Sequence, residues 1–224
     1  EIETNKESLQ AAIKQTKSKV LDLAIKGRLV SQNPNDEPAK IDSIEITDDI
    51  PFELPNNWKW VKGADIFKPM QSIKPEGDCF YYVDIDAIDN KKNVISAPKY
   101  LKVDKAPSRA RRQVSNGDIL FSMVRPYLRN IAKVDKDNYI ASTGFFVCKP
   151  NNNITSNFCF YLMISDYVVN GLNQYMKGDN SPSINNENIQ QFLFPLPPLS
   201  EQTRIVSKIE EVFALLDEIE RELE

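Results

Sequence analysis

The sequence contains no histidine. That removes histidine-ligated zinc sites and every Ser-His or Cys-His nucleophile at once. Cysteine is almost as sparse. Cys79, Cys148 and Cys159 are scattered, with no C-x-x-C pair. An odd, dispersed set reads as reduced thiols and points to a cytoplasmic protein. Glycine occurs 7 times in 224 residues. There is no Gly-rich cofactor loop and no G-x-x-x-x-G-K-[ST] string, which excludes an NTP-driven motor. No apolar run approaches the roughly 20 residues that span a bilayer. The acidic, polar start EIETNKESLQ does not read as a signal peptide, so no membrane partner is expected. The formal net charge of −4 argues against a generally basic coat, though not against a local basic patch.

What is present is organised by the two ends of the chain. The last stretch reads PLPPLSEQTRIVSKIEEVFALLDEIERELE. Its prolines stop what precedes, Ser200 is placed to cap a helix, and Glu201 puts a negative charge where the helix dipole favours it. Ile205, Ile209, Val212, Leu216, Ile219 and Leu223 then recur in steps of four and three, a heptad seam widened by Val206 and Phe213. At 1.5 Å per residue such a helix of roughly 24 residues is about 36 Å long. Residues 1–28 carry a second seam at Leu9, Ile13, Thr16, Val20 and Leu23, with Gly27 as its stop. The flanks are complementary. Residues 1–28 hold six Lys/Arg against four Asp/Glu, and residues 200–224 hold three against eight. This predicts that the two helices pair antiparallel with each other, within one chain or across a dimer. The middle is then a globular insert whose ends lie close together.

Residues 29–57 read as a connector, because SQNPNDEPAK is polar and its two prolines preclude a helix. Trp58 and Trp60 are expected to dock the start of the insert on its core. The insert, 58–195, reads as mixed α and β. Strands are expected at Phe80 to Ile88, Gly117 to Val124, Ile131 to Val134 and Tyr139 to Lys149. A helix capped by Thr155 or Ser156 is expected to run to about Asn170 and stop at Gly171. Residues 173–188 read as a polar loop. The fold class is therefore α/β (α+β), a mixed domain inserted between two long helices that form an antiparallel coiled coil, with residues 196–224 as the second helix.

Charge is the most informative chemical feature. Between Lys99 and Lys133 there are nine basic residues: Lys99, Lys102, Lys105, Arg109, Arg111, Arg112, Arg125, Arg129 and Lys133. Only Asp104 and Asp118 oppose them. The arginine fork suits phosphate and the guanine edge in the major groove. A solvated basic face is the plain alternative. Arg109, Arg111, Arg112, Arg125, Tyr127, Arg129 and Lys177 are the candidate DNA surface, with Ser142 and Thr143 in support. The Gly178–Ser183 loop beside Lys177 is either a phosphate cradle or a surface turn. Asp84 and Asp86 have D-x-D metal spacing but read better as the wet side of a strand. Leu196-Pro197-Pro198-Leu199 lacks the leading Asp or Asn of an amino-methyltransferase motif. No catalytic and no metal residues are assigned.

Four strings together carry a family resemblance: LPNNWKWVKGADIF, RRQVSNGDILFSMVRP, STGFFVCKP and INNENIQQFLFPLPPLSEQTRIVSKIEE. They resemble the specificity subunit of a type I restriction-modification system, over nearly the whole chain. Residues 17–38 resemble the far end of that family's conserved helix. The resemblance implies a target-recognition domain at 58–195 that reads one half of a split DNA sequence. It implies helices that act as a ruler and dock modification subunits, with a restriction subunit as further partner. It implies no catalysis by the chain itself. S-adenosylmethionine, Mg and ATP would belong to the partner subunits, leaving none here. Such subunits usually carry two recognition domains, and this chain has one. A second copy or another half subunit is therefore a further candidate partner. A coiled-coil adaptor without DNA readout and a DNA-modifying enzyme are the alternatives.

Overall fold

The computed structural model describes residues 2–41 and 50–222. The first helix, α1, spans Ile2–Ile25. It ends as a Schellman motif: Gly27 lies at φ +66°, its N–H reaches Ala24 O (3.2 Å), and Arg28 N–H reaches Leu23 O (2.8 Å). The last helix, α6, spans Leu199–Glu222. It starts one residue before the expected cap. Ser200 lies inside the first turn and donates instead to Asp36 Oδ1 at 2.7 Å.

The two helices pair within one chain, and they run antiparallel. Gln32, just past the end of α1, reaches Glu201 at the start of α6 (2.6 Å), while Lys17 reaches Asp217 (2.5 Å) and Glu220 (3.3 Å) near its end. The basic-on-acidic match is thus realised at Lys17. The buried seam is shorter and wider than a two-stranded heptad. Ile13, Val20, Leu21, Ala24 and Ile25 are buried on α1, and Ile205, Val206 and Ile209 on α6. Leu23, Val212 and Leu216 are half-buried, whereas Leu9 and Ile219 are exposed. Leu223 lies outside the described residues. The drift has a cause. α1 also packs on two domain helices, α3 (Ser156–Ile164) and α4 (Asp166–Asn173), and α6 packs on α3, so each buries a broad face at its domain end.

The insert opens with β1 (Lys59–Lys62) and closes with β11 (Leu193–Leu196). These pair antiparallel, with Trp60 opposite Pro195, so the two ends of the domain are neighbours. Between them lie β2 (Cys79–Val83), β3 (Ile88–Asp89), β4 (Val94–Ile95), β5 (Lys99–Lys102), β6 (Ala110–Gln113), β7 (Ile119–Ser122), β8 (Ile131–Lys133), β9 (Tyr139–Ser142) and β10 (Phe145–Cys148). Two short helices, α2 (Gly63–Ile66) and α5 (Asn186–Gln191), flank the closing pair. One sheet has the order β10-β7-β8, and a second has β5-β2-β9-β6 with β2 and β9 parallel.

These layers follow from strand periodicity. On β7, Ile119 and Phe121 face the helices, while Leu120 faces the second sheet. On β10, Phe146 and Cys148 face the helices, while Phe145 and Val147 face the second sheet. The central sheet is therefore buried on both faces, which is why its strands read as continuous apolar runs.

Three expected elements and one expected stop differ. The strand at Phe80 to Ile88 ends at Val83, because the Asp84 carboxylate accepts from Ile85 N–H and starts a 3-10 turn. The strand at Tyr139 to Lys149 is two strands with a turn at Thr143-Gly144. The helix from Ser156 breaks at Ser165, whose hydroxyl caps α4. Gly171 sits inside α4 and does not stop it; a Cβ there would lie 2.6 Å from the Phe192 ring, so its role is close packing.

Candidate nucleic-acid interface

The basic run from Lys99 to Lys133 does not form one face. Lys99 pairs with Asp86 at 2.6 Å, and Lys133 reaches Asn157 on α3. With Asp84 capping a turn and Asp86 neutralised by Lys99, the D-x-D pair has protein partners of its own.

One edge of the two sheets does gather several candidates, and main-chain hydrogen bonds do the gathering. Arg109 O accepts from Thr143 N–H at 2.9 Å, tying the turn before β6 to the β9–β10 turn. Gly144 O accepts from Met123 N–H at 2.9 Å, tying that turn to the segment after β7. Met123 O then accepts from Ile184 N–H (2.9 Å), and Pro182 O accepts from Arg125 N–H (2.8 Å). The loop bearing Lys177 is closed by a reciprocal pair with Ser183 (2.9 and 3.0 Å). Residues 177–184 are therefore docked rather than free. Arg109, Thr143, Arg125, Tyr127 and Lys177 share this edge, and all but half-buried Thr143 are exposed.

The other candidates sit differently. Arg129 turns inward. Its guanidinium donates to Ile164 O (3.0 Å) and to the Asp166 carboxylate at the start of α4. Ser18 on α1 donates to the same carboxylate. Arg111 is half-buried and donates to Ala110 O at 3.0 Å. Arg112 lies on β6 beside a register shift that interrupts strand alternation. Its Nε is buried without a partner among the described residues, and burial lowers its pKa. Ser142 is fully buried, so it can support the edge but cannot touch a ligand. Beside it, burial pushes the Tyr82 phenol pKa up.

Sequence reading missed the groups that lock the edge. Arg125 (φ +46°) and Arg129 (φ +56°) are both left-handed and flank a 3-10 turn at Pro126–Leu128. Asn90 Nδ2 donates to Leu128 O at 2.8 Å, and Asn93 Nδ2 donates to Ile131 O at 3.0 Å. Asn180 O accepts from the Arg125 guanidinium at 2.8 Å. An Asn in a Lys-Lys-Asn turn is a weak signal for such a clamp, and Asp166 gives none.

A family model described as the type I restriction modification DNA specificity domain matches residues 55–224. This chain belongs to that family. The specificity-domain match takes in every strand and α6. Among curated specificity subunits, the EcoAI subunit of Escherichia coli is 26% identical, covering 91% of this chain and 40% of that protein. The EcoDI subunit is 25% identical, covering 97% and 50%. Among solved structures, the HsdS subunit of Thermoanaerobacter tengcongensis superposes with a TM-score of 0.71 at 39% identity, over 76% of this chain and 46% of that one. The chain spans half or less of the length of these relatives. No helix of the described residues is long and apolar enough to cross a membrane.

Proposed function

We propose that this chain is a sequence-reading unit of a type I restriction-modification complex. It binds double-stranded DNA and reads one half of a bipartite target. Its helix pair docks modification subunits, and a restriction subunit joins the assembly. The observation that carries the reading is the stitched edge: Arg109, Arg125, Tyr127 and Lys177 on a rigid two-sheet frame, within the specificity fold. Exposed cations there suit phosphates, whose contacts set position, while few side chains reach base edges. Arg129 and Ser142 serve as supports, and Arg111 and Arg112 are reserve candidates on the half-buried strand. The chain itself carries out no chemistry; S-adenosylmethionine, Mg and ATP act on the partner subunits.

The test is selection of bound sequences from a random DNA pool by the chain with its cognate modification subunit. A single preferred half-site is expected. Replacing Arg109, Arg125 and Lys177 by Ala should weaken binding to all sequences and reduce the salt slope by about one per lost phosphate contact. Unchanged affinity at physiological salt would move the DNA face elsewhere. Lasting assembly without any DNA preference would make the chain an adaptor.

A further inference from the structure

The turn at 125–129 is held from every side, and exposed Arg125 is not all that it offers to solvent. Two non-glycine residues in the left-handed region are sterically disfavoured and persist only where the surroundings over-determine them. Here they do. Leu128 N–H reaches Arg125 O (2.9 Å), Arg129 N–H reaches Pro126 O (2.9 Å), and Asn90 holds Leu128 O. Arg125 is tied to Pro182 and Asn180, and Arg129 to Ile164 and Asp166. Pro126 is buried. Beside exposed Arg125, the turn presents Tyr127, 45% exposed, next to Leu128, 43% exposed. Single exposed apolar residues are ordinary on a protein surface. Two adjacent ones at the apex of a strained, clamped turn, beside Arg125 and the Lys177 loop, are a presented feature.

We propose that Tyr127 and Leu128 are the side chains this turn delivers to DNA, packing by apolar contact against the bases while neighbouring cations hold the phosphates. The inference rests on the DNA-recognition reading above. Clamping supplies preorganisation, because the apex is ordered before the duplex arrives and little freedom is lost on binding. An apolar contact releases no counterions, so it adds affinity without adding salt dependence. That separates it from every phosphate contact on the same edge.

The experiment uses the full chain with its cognate modification subunit and the DNA selected above, titrated between roughly 50 and 200 mM salt. The Tyr127→Ala/Leu128→Ala variant is expected to bind roughly tenfold more weakly or worse, with the salt slope of the wild type. Leu128→Lys adds a cation to a basic edge, yet is expected to weaken binding, because the charge replaces an apolar contact. Unchanged affinity of the double variant, or tighter binding by Leu128→Lys, overturns the inference. So does normal DNA binding combined with loss of assembly, which would make the apex a protein contact. A wild-type chain that selects no sequence defeats the recognition reading itself. A wild-type chain that selects one, matched by its variants, defeats only this inference.

Discussion

Glu201 is where the insert is fastened to α6, and its replacement tests that joint. The side chain is 1% exposed. Its carboxylate accepts from Trp58 Nε1 at 2.9 Å and from Gln32 Nε2 at 2.6 Å. Gln32 is exposed and also donates to Gly27 O, so it finds water when Glu201 is lost. Trp58 has no such recourse, because it is buried and its indole has one donor. Glu201→Ala therefore strands a buried N–H and removes a charge-assisted bond, which costs about 2–3 kcal/mol. Glu201→Gln keeps an acceptor for the indole and loses the charge assistance together with the bond from exposed Gln32, which water replaces, about 1 kcal/mol. Urea unfolding followed by tryptophan fluorescence reads the joint directly, since Trp58 and Trp60 are the only tryptophans. With a slope of about 2 kcal/mol/M, the Ala variant should lower the midpoint by about 1 M. An Ala variant within about 0.5 kcal/mol of wild type, or a Gln variant less stable than the Ala one, would refute the reasoning.

Two further outcomes follow from buried or paired groups. Asp36 is held below the usual carboxylate range, chiefly by hydrogen bonds from the Arg204 guanidinium (2.5 and 3.2 Å), with help from Ser200. A depressed folded pKa means stability that is present above the ordinary value and lost as pH falls through the folded one; the gap between wild type and Asp36→Asn in urea should therefore close below about pH 4. Burial raises the pKa of the Cys148 and Cys159 thiols, whereas Cys79 is partly exposed. A thiol-labelling reagent should modify one cysteine quickly and the other two only on unfolding, and rapid modification of all three would contradict the packing.

The helix pair was legible because its signal is local: apolar steps of four and three, and opposite charge. Its exact face was not. Thr16 and Leu9 fit the repeat yet are exposed, since α3 and α4 pull the buried face toward Leu21 and Ile25. The strands of the buried sheet were legible as apolar runs, but the Thr143-Gly144 turn inside one of them carries no proline or charge to mark it. β5 and β6 went unseen because their residues, KYLK and ARRQ, read as charge rather than as strand. β11 was hidden by Pro195, tolerated on a two-stranded pair. At the candidate site, the arginines were visible and their uses were not. Whether Arg129 meets a ligand or Asp166 depends on a residue 37 positions downstream, which no local pattern encodes.

The first elements of this chain bond to its last. Lys17 meets Asp217 across 200 positions, and among the described residues β1 has β11 alone as strand partner. During synthesis, α1 and the opening strand leave the ribosome long before anything exists to cover them. The α1 face is covered in stages, by α3 and α4 and then by α6, and β1 only when β11 is made, so closure is late and its loop is long. The two sheets between them have internal partners and are free to form first. Such an order makes the unfinished chain the vulnerable species: losing α6 from Ile205 onward would leave the Ile13–Ile25 face partly uncovered on an otherwise folded domain, where it favours association with other chains.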